Sequence, residues 1–135
     1  MAITKLIDTS KPVYTPNGDV YAEPKVDRTG RITLDNGSTK YNHQLEKSDT
    51  PLYVDRRIGD FITFVLDKTD EKATGETLRK RFFLSCRVEQ SMRDNKLLEV
   101  TNEDIKLVEA ALEVVKHPLI SYRVQEALDL AEVKS

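Results

Sequence analysis

Two hydrophobic periods divide the chain. Up to about residue 50, apolar side chains are sparse and alternate with polar ones between turn signals; from Asp55 onward they recur every three or four residues. Ile58, Phe61, Ile62, Val65 and Leu66 line one face of a helix that Asp55 is placed to cap and Lys68 to close, each charge opposing the helix dipole. Gly59 interrupts this helix at a cost of about 1 kcal/mol relative to alanine. Close packing against a neighbouring element explains it; the approach of a partner or ligand backbone is the alternative. Residues 101–115 and 118–131 predict two further helices. Thr101 caps the first, Glu103 and Asp104 face its positive end, and Asp104 stands where a capping box has Glu or Gln. Ile105, Val108, Leu112 and Val115 form its stripe, with Leu112 expected deep in the core. Ile120, Val124, Ala127, Leu128 and Ala131 form the stripe of the second. Pro118 suits a first helical turn, and the short Lys116-His117 connection implies antiparallel neighbours.

Residues 76–92 carry both periods. Leu78, Phe82 and Cys86 are spaced by four, as in a helix, whereas Phe82, Leu84, Cys86 and Val88 alternate, as in a strand. The length and the leading Thr74-Gly75-Glu76 favour the helix, and the strand stays open.

In the first half, Pro16-Asn17-Gly18 reads as a hairpin turn. Asn36-Gly37, between residues 31–35 and 38–41, predicts a second hairpin with a two-residue type I′ loop, Ile32 and Leu34 sharing one face and Thr33 the other. Glu23-Pro24 and Arg28-Thr29-Gly30 read as connections. Residues 1–9 hold Ile3, Leu6 and Ile7 in no strong period, which describes an edge strand or a mobile arm. So little apolar density predicts a portion that packs on the helices or on a partner. The fold class is therefore α+β, with N-terminal β-hairpins packed on a C-terminal bundle of about four helices. The expected organisation is one domain over residues 1–135, with a β-rich arm and hairpins at 1–50 and a mainly helical core at 51–135.

Composition narrows the function classes. A length of 135 residues, 39% hydrophobic and 33% charged, suits one folded domain rather than a disordered chain. The formal charge of −2 argues against binding nucleic acid by bulk electrostatics. Cys86 is the single cysteine, no basic and apolar leader opens the chain, and no apolar run is long enough to span a bilayer, so a reducing cytoplasm is the expected compartment. His43 and His117 lie far apart without ligand spacing, so no metal or other cofactor is expected, and His117 suits the carbonyls of a helix end. Cys86 lacks a neighbouring base and is expected to be buried. The acidic pairs Asp55/Asp60 and Glu103/Asp104 stand where helix dipoles favour carboxylates, and no phosphate loop or nucleophile elbow is present, so no enzyme is predicted. Arg79-Lys80-Arg81, with Arg56-Arg57 and Arg87, is the one basic concentration. Interleaved Phe82 and Phe83 match the mixture that binds single strands. A solvated helix face beside core aromatics is the favoured explanation.

Several stretches, taken in order, resemble a family of small, mostly uncharacterised proteins encoded by tailed bacteriophages and prophages. They are Ser10-Lys11-Pro12 with Asn17-Gly18, then Gly75-Glu76 with Arg79-Lys80-Arg81, then residues 98–105, and finally Pro118-Leu119 with Val124. The hairpin around Asn36-Gly37 looks like an insertion. The resemblance supplies no catalytic residues. It implies a viral origin and a protein-binding role: a virion component or assembly factor, in the host cytoplasm or the virion. A small regulator or inhibitor of a host enzyme, one that processes nucleic acid included, is the alternative. The expected contacts to viral subunits or a host protein are Ile3, Leu6 and Ile7 on the arm and Arg79, Lys80 and Arg81 on the helix; self-association is compatible with either role, a membrane is not expected and nucleic acid is disfavoured.

Overall fold

The computed structural model describes residues 3–68 and 70–134 of the chain. It is α+β, with strands mostly ahead of the helices. Four helices form: α1 (Ile58–Asp67), α2 (Gly75–Asp94), α3 (Asn102–Leu112) and α4 (Pro118–Asp129). The strands are β1 (Thr4–Ile7), β2 (Ala22–Pro24), β3 (Ile32–Thr33), β4 (Thr39–Lys40), β5 (Tyr53–Asp55), β6 (Leu98–Thr101) and β7 (Glu132–Val133). The chain divides into two compact units. One joins Met1–Val13 to Arg57–Ser135, and the other is Tyr14–Arg56. The sequence boundary at residue 50 thus falls elsewhere: the first thirteen residues belong with the helices, and the hairpin region is an insertion between them.

In the helical unit, the α1 stripe Ile58, Phe61, Ile62, Val65 and Leu66 is buried as its spacing predicts. Asp55 does not cap it, because that residue is the end of β5. Arg57 holds the N-cap position, its amide donating to Asp60 Oδ2 at 2.8 Å. The next amides find main-chain acceptors, Ile58 N donating to the Lys11 carbonyl at 2.9 Å and Gly59 N to the Thr9 carbonyl at 2.8 Å. A helix start satisfied in this way needs no side-chain cap.

Gly59 is explained by packing. A Cβ there would overlap the thioether of Met92 on α2. Gly59→Ala is expected to cost about 1–2 kcal/mol, the overpacking penalty reduced by the gain in helix propensity. On a Met92→Ala background the same change should be neutral or stabilising. Urea unfolding of the two single variants and the double variant checks this, and strictly additive losses would contradict it.

Residues 76–92 are helical. Thr74 caps α2, its Oγ1 accepting from Thr77 N at 3.1 Å, and Asn95 ends the helix at φ 53°. The capping box of α3 closes in both directions, Asp104 N donating to Thr101 Oγ1 at 3.2 Å and Thr101 N to Asp104 Oδ2 at 2.9 Å. Its deep residues are Val108 and Ala111. Leu112 is only half-buried, because α3 stops there and does not run on to Val115. Ile120, Val124 and Leu128 of α4 are buried, whereas Ala127 and Ala131 are only partly so.

The strand content of this unit departs most from the sequence reading. Residues 1–9 are not a mobile arm, within the described part that begins at Ile3. β1 is the central strand of an antiparallel sheet ordered β6-β1-β7, with Ile7 opposite Leu98, Lys5 opposite Val100 and Leu6 opposite Glu132. Ile7, Leu98 and Val100 face the core and are buried. Beyond the strand, fully buried Thr9 shares a 2.6 Å hydroxyl hydrogen bond with Ser91 of α2, which itself donates to the Val88 carbonyl at 2.7 Å. β6 and β7 are too short and too close to helix signals for their alternation to be legible.

The inserted unit is built on one turn used three times. Gly18 N donates to Thr15 O, Gly30 N to Asp27 O and Gly37 N to Leu34 O, and each glycine has φ between 83° and 88°. The second bond of each loop runs Thr15 N to Asp19 O, Asp27 N to Arg31 O and Leu34 N to Ser38 O. These are three-residue loops ending in a left-handed glycine bulge. Asn36-Gly37 is therefore not a type I′ loop, since Asn36 keeps a negative φ; and Arg28-Thr29-Gly30 is a third hairpin turn rather than a connection. Ile32 and Leu34 share the buried face as their alternation predicts.

Candidate protein-docking surfaces

Within the inserted unit, β2 and β5 form a two-stranded ribbon in which Ala22 lies opposite Asp55, Glu23 opposite Val54 and Pro24 opposite Tyr53. Alternation puts Ala22, Pro24 and Val26 on one face with Tyr53 and Asp55. Val26 is 54% exposed and Tyr53 62%. The other face is held by charge: Arg56 Nε donates to Glu23 Oε2 at 3.1 Å, and Tyr21 donates to Glu23 Oε1 at 2.9 Å. Burial of the phenol, followed by its bond to Glu23, raises the Tyr21 pKa. Ile32 and Leu34 are the large apolar side chains buried in this unit. So small a core is held largely by main-chain bonds, among them Lys25 N to Leu52 O, Thr33 N to Lys25 O and Leu52 N to Thr33 O.

Two carboxylates pin the turns. Asp27 accepts from the Thr29 hydroxyl at 2.7 Å and from Arg31 N at 3.0 Å, and these bonds hold its pKa below the usual carboxylate range. Asp49 accepts from Glu46 N at 2.9 Å and from Lys40 Nζ at 2.9 Å, with the same effect in that order. A depressed folded pKa gives a contribution fully present above the unfolded value and lost as the pH falls through the folded one. Below about pH 4 the protection factors of the Thr29, Arg31 and Glu46 amides, taken against unstructured chain at the same pH, are therefore expected to fall. Protection factors at those amides that stay unchanged down to pH 2 would contradict the bonding described.

In the helical unit, α2 buries Leu84, Val88 and Met92 with Arg81, Ser85 and Ser91. Of the Leu78–Phe82–Cys86 spacing, Phe82 and Cys86 lie away from that side and are exposed, and Leu78, seven residues before buried Ser85, is exposed in the first turns. Phe82 is 61% exposed and Phe83 60%, their rings edge to face at 5.9 Å. They are not core aromatics, and Cys86 is exposed rather than buried. The one helical stripe read from the sequence is left in water, and the buried side, with Leu84, Val88 and Met92, was not read as a helix face.

The six residues expected to touch a partner do not form one site. Ile3 is exposed, Leu6 is partly covered and Ile7 is buried beneath the sheet, which removes Ile7 from any docking surface. Successive residues on a helix point about 100° apart, so Arg79, Lys80 and Arg81 diverge. Arg79 is exposed, Lys80 bonds Glu103 at 3.1 Å, and Arg81 is 3% exposed and paired with Asp70 at 3.2 Å. Arg81 too is excluded as a surface contact. The bond to Glu103 raises the Lys80 pKa.

The remaining candidates resolve into local structure. His117 caps the start of α4, Nδ1 accepting from Ile120 N at 3.3 Å, and so meets a helix amide rather than the carbonyls of a helix end. His43 stacks on Tyr41 at 5.9 Å. Among the described residues no three His, Cys, Asp or Glu side chains gather around a common point, and no helix is long and apolar enough to cross a membrane. An apolar gap of about 10 Å³ between Ile62, Leu84, Val88, Val108 and Leu128 has room for no more than about one water. No protein-family model, no curated protein and no solved structure matches the chain.

Proposed function

We propose that this chain is a non-enzymatic accessory protein that docks onto another protein through the β2/β5 ribbon. In the setting the phage resemblance implies, the partner is a structural subunit of a tailed-phage particle or of an assembly intermediate. One observation carries the reading: Val26 and Tyr53 stand more than half exposed beside half-buried Ala22 and Pro24, with Asp55 at the end of the same face, on a 43-residue insertion, residues 14–56, that buries few large apolar side chains of its own. A solvated ribbon with an apolar face gains from a second protein what its own core does not supply. Edge-exposed Tyr adds contact area at low conformational cost.

The test compares the wild-type chain with Val26→Ser/Tyr53→Ser in purified particles and their assembly intermediates, quantified by mass spectrometry. Both side chains are exposed, so the variant should keep its fold, within about 0.5 kcal/mol per site. Incorporation is expected to fall at least tenfold. Equal incorporation of a folded double variant would refute the ribbon as the docking face. A wild-type chain absent from particles at every stage would refute the assembly role.

A further inference from the structure

The exposed face of α2 is a separate feature, which the docking role does not use. Phe82, Phe83 and Leu78 stand in water on a 20-residue helix whose other side is fully packed. A Phe side chain offers about 150–250 Å², so two that are 60% exposed present roughly 250 Å² of apolar surface. That is at the size where patches on monomers become interaction sites.

The charge pattern identifies the occupant. About the midpoint of Gly75–Asp94, antiparallel overlay of the helix on itself pairs residue i with residue 169 − i. Glu76 then meets the partner's Arg93, and Phe83 meets the partner's Cys86. Arg79 reaches the partner's Gln90 and the adjacent carboxylate of the partner's Glu89. Arg79 has no carboxylate partner among the described residues of its own chain, and the Glu89–Arg93 pair at 3.8 Å is long and exposed. A parallel overlay sets Arg79 on Arg79 and Glu89 on Glu89, which repel.

We infer that α2 is a homodimer interface, on which a second copy of this chain packs antiparallel with Phe82 and Phe83 at the centre. Two copies contribute roughly 500 Å² of apolar surface, and the stems of Arg79, Gln90 and Arg93 at the rim bring the total toward the roughly 1,000 Å² that a specific interface needs. The contact is isologous and closes on itself.

Sedimentation equilibrium on the purified full chain, from about 1 to 100 μM, tests this. The expected species is a dimer of twice the 15.4 kDa chain mass. Phe82→Glu/Phe83→Glu, at exposed sites, should raise the dimer Kd at least a hundredfold while the circular dichroism is unchanged. Arg79→Glu and Glu89→Arg should each raise it several-fold, and the combined swap should restore dimerisation. A short bismaleimide should couple the two copies through Cys86 in the wild type and not in the Phe double variant. A monomer throughout the concentration range overturns the proposal, as does a dimer indifferent to the Phe substitutions. A dimer that the charge swap fails to restore overturns the antiparallel register. None of these outcomes bears on incorporation through the ribbon, which Val26 and Tyr53 test separately.

Discussion

Deleting residues 1–9 is expected to unfold the helical unit. β1 is the strand to which both β6 and β7 pair, so its loss leaves each without a neighbour and exposes the main-chain groups of both. The same deletion removes buried Ile7, and it removes Thr9, whose carbonyl accepts the Gly59 amide at 2.8 Å and whose hydroxyl bonds Ser91 at 2.6 Å. One buried aliphatic alone is worth about 2–5 kcal/mol on truncation, and several lost main-chain bonds bring the total to the 5–15 kcal/mol that holds a domain together. Loss of the cooperative urea transition, with reduced far-ultraviolet ellipticity, is the expected result. A truncated chain that unfolds at the wild-type midpoint would show that the segment is an arm after all.

The second large effect is an asymmetry at the buried ion pair. Arg81 Nη2 forms an ion pair with Asp70 Oδ2 at 3.2 Å, while its Nε and Nη1 have no hydrogen-bond partner among the described residues. Asp70→Ala strands a guanidinium already short of acceptors, and such a change costs about 3–5 kcal/mol. Arg81→Met removes the orphaned N–H groups, fills the space with a side chain of similar length, and leaves Asp70 on a connecting segment from which it can turn to water. Replacing a buried ion by an apolar residue is often close to neutral, so a loss under about 1 kcal/mol is expected there. Paired urea titrations decide it. Equal losses in the two variants would mean that the pair acts as a surface bridge.

The difference between what was legible in the sequence and what was not follows from the range of the interactions. The α1 stripe, the Thr101–Asp104 box and the shared face of Ile32 and Leu34 depend on residues within four positions of each other, and each forms as its spacing predicts. The pairing of β1 with β6 joins Thr4 to Thr101 across most of the chain, and no local period records such a partner. On α2 the spacing of Leu78, Phe82 and Cys86 marked the helix but not the face that it buries. The buried side carries Arg81, Ser85 and Ser91, polar residues made compatible with the interior by partners at Asp70, Asp67 and Thr9. The β2/β5 ribbon left only a faint trace, since Glu23-Pro24 reads as a connection until residues 53–55 pair with it.

Hydrogen exchange on the chain, free and bound to purified particles, tests the docking role most directly. Protection is expected to rise at residues 22–26 and 52–55, the two sides of the ribbon, with the amides of α1, α3 and α4 unchanged. Protection that leaves the ribbon untouched and appears only on the helices would contradict the account.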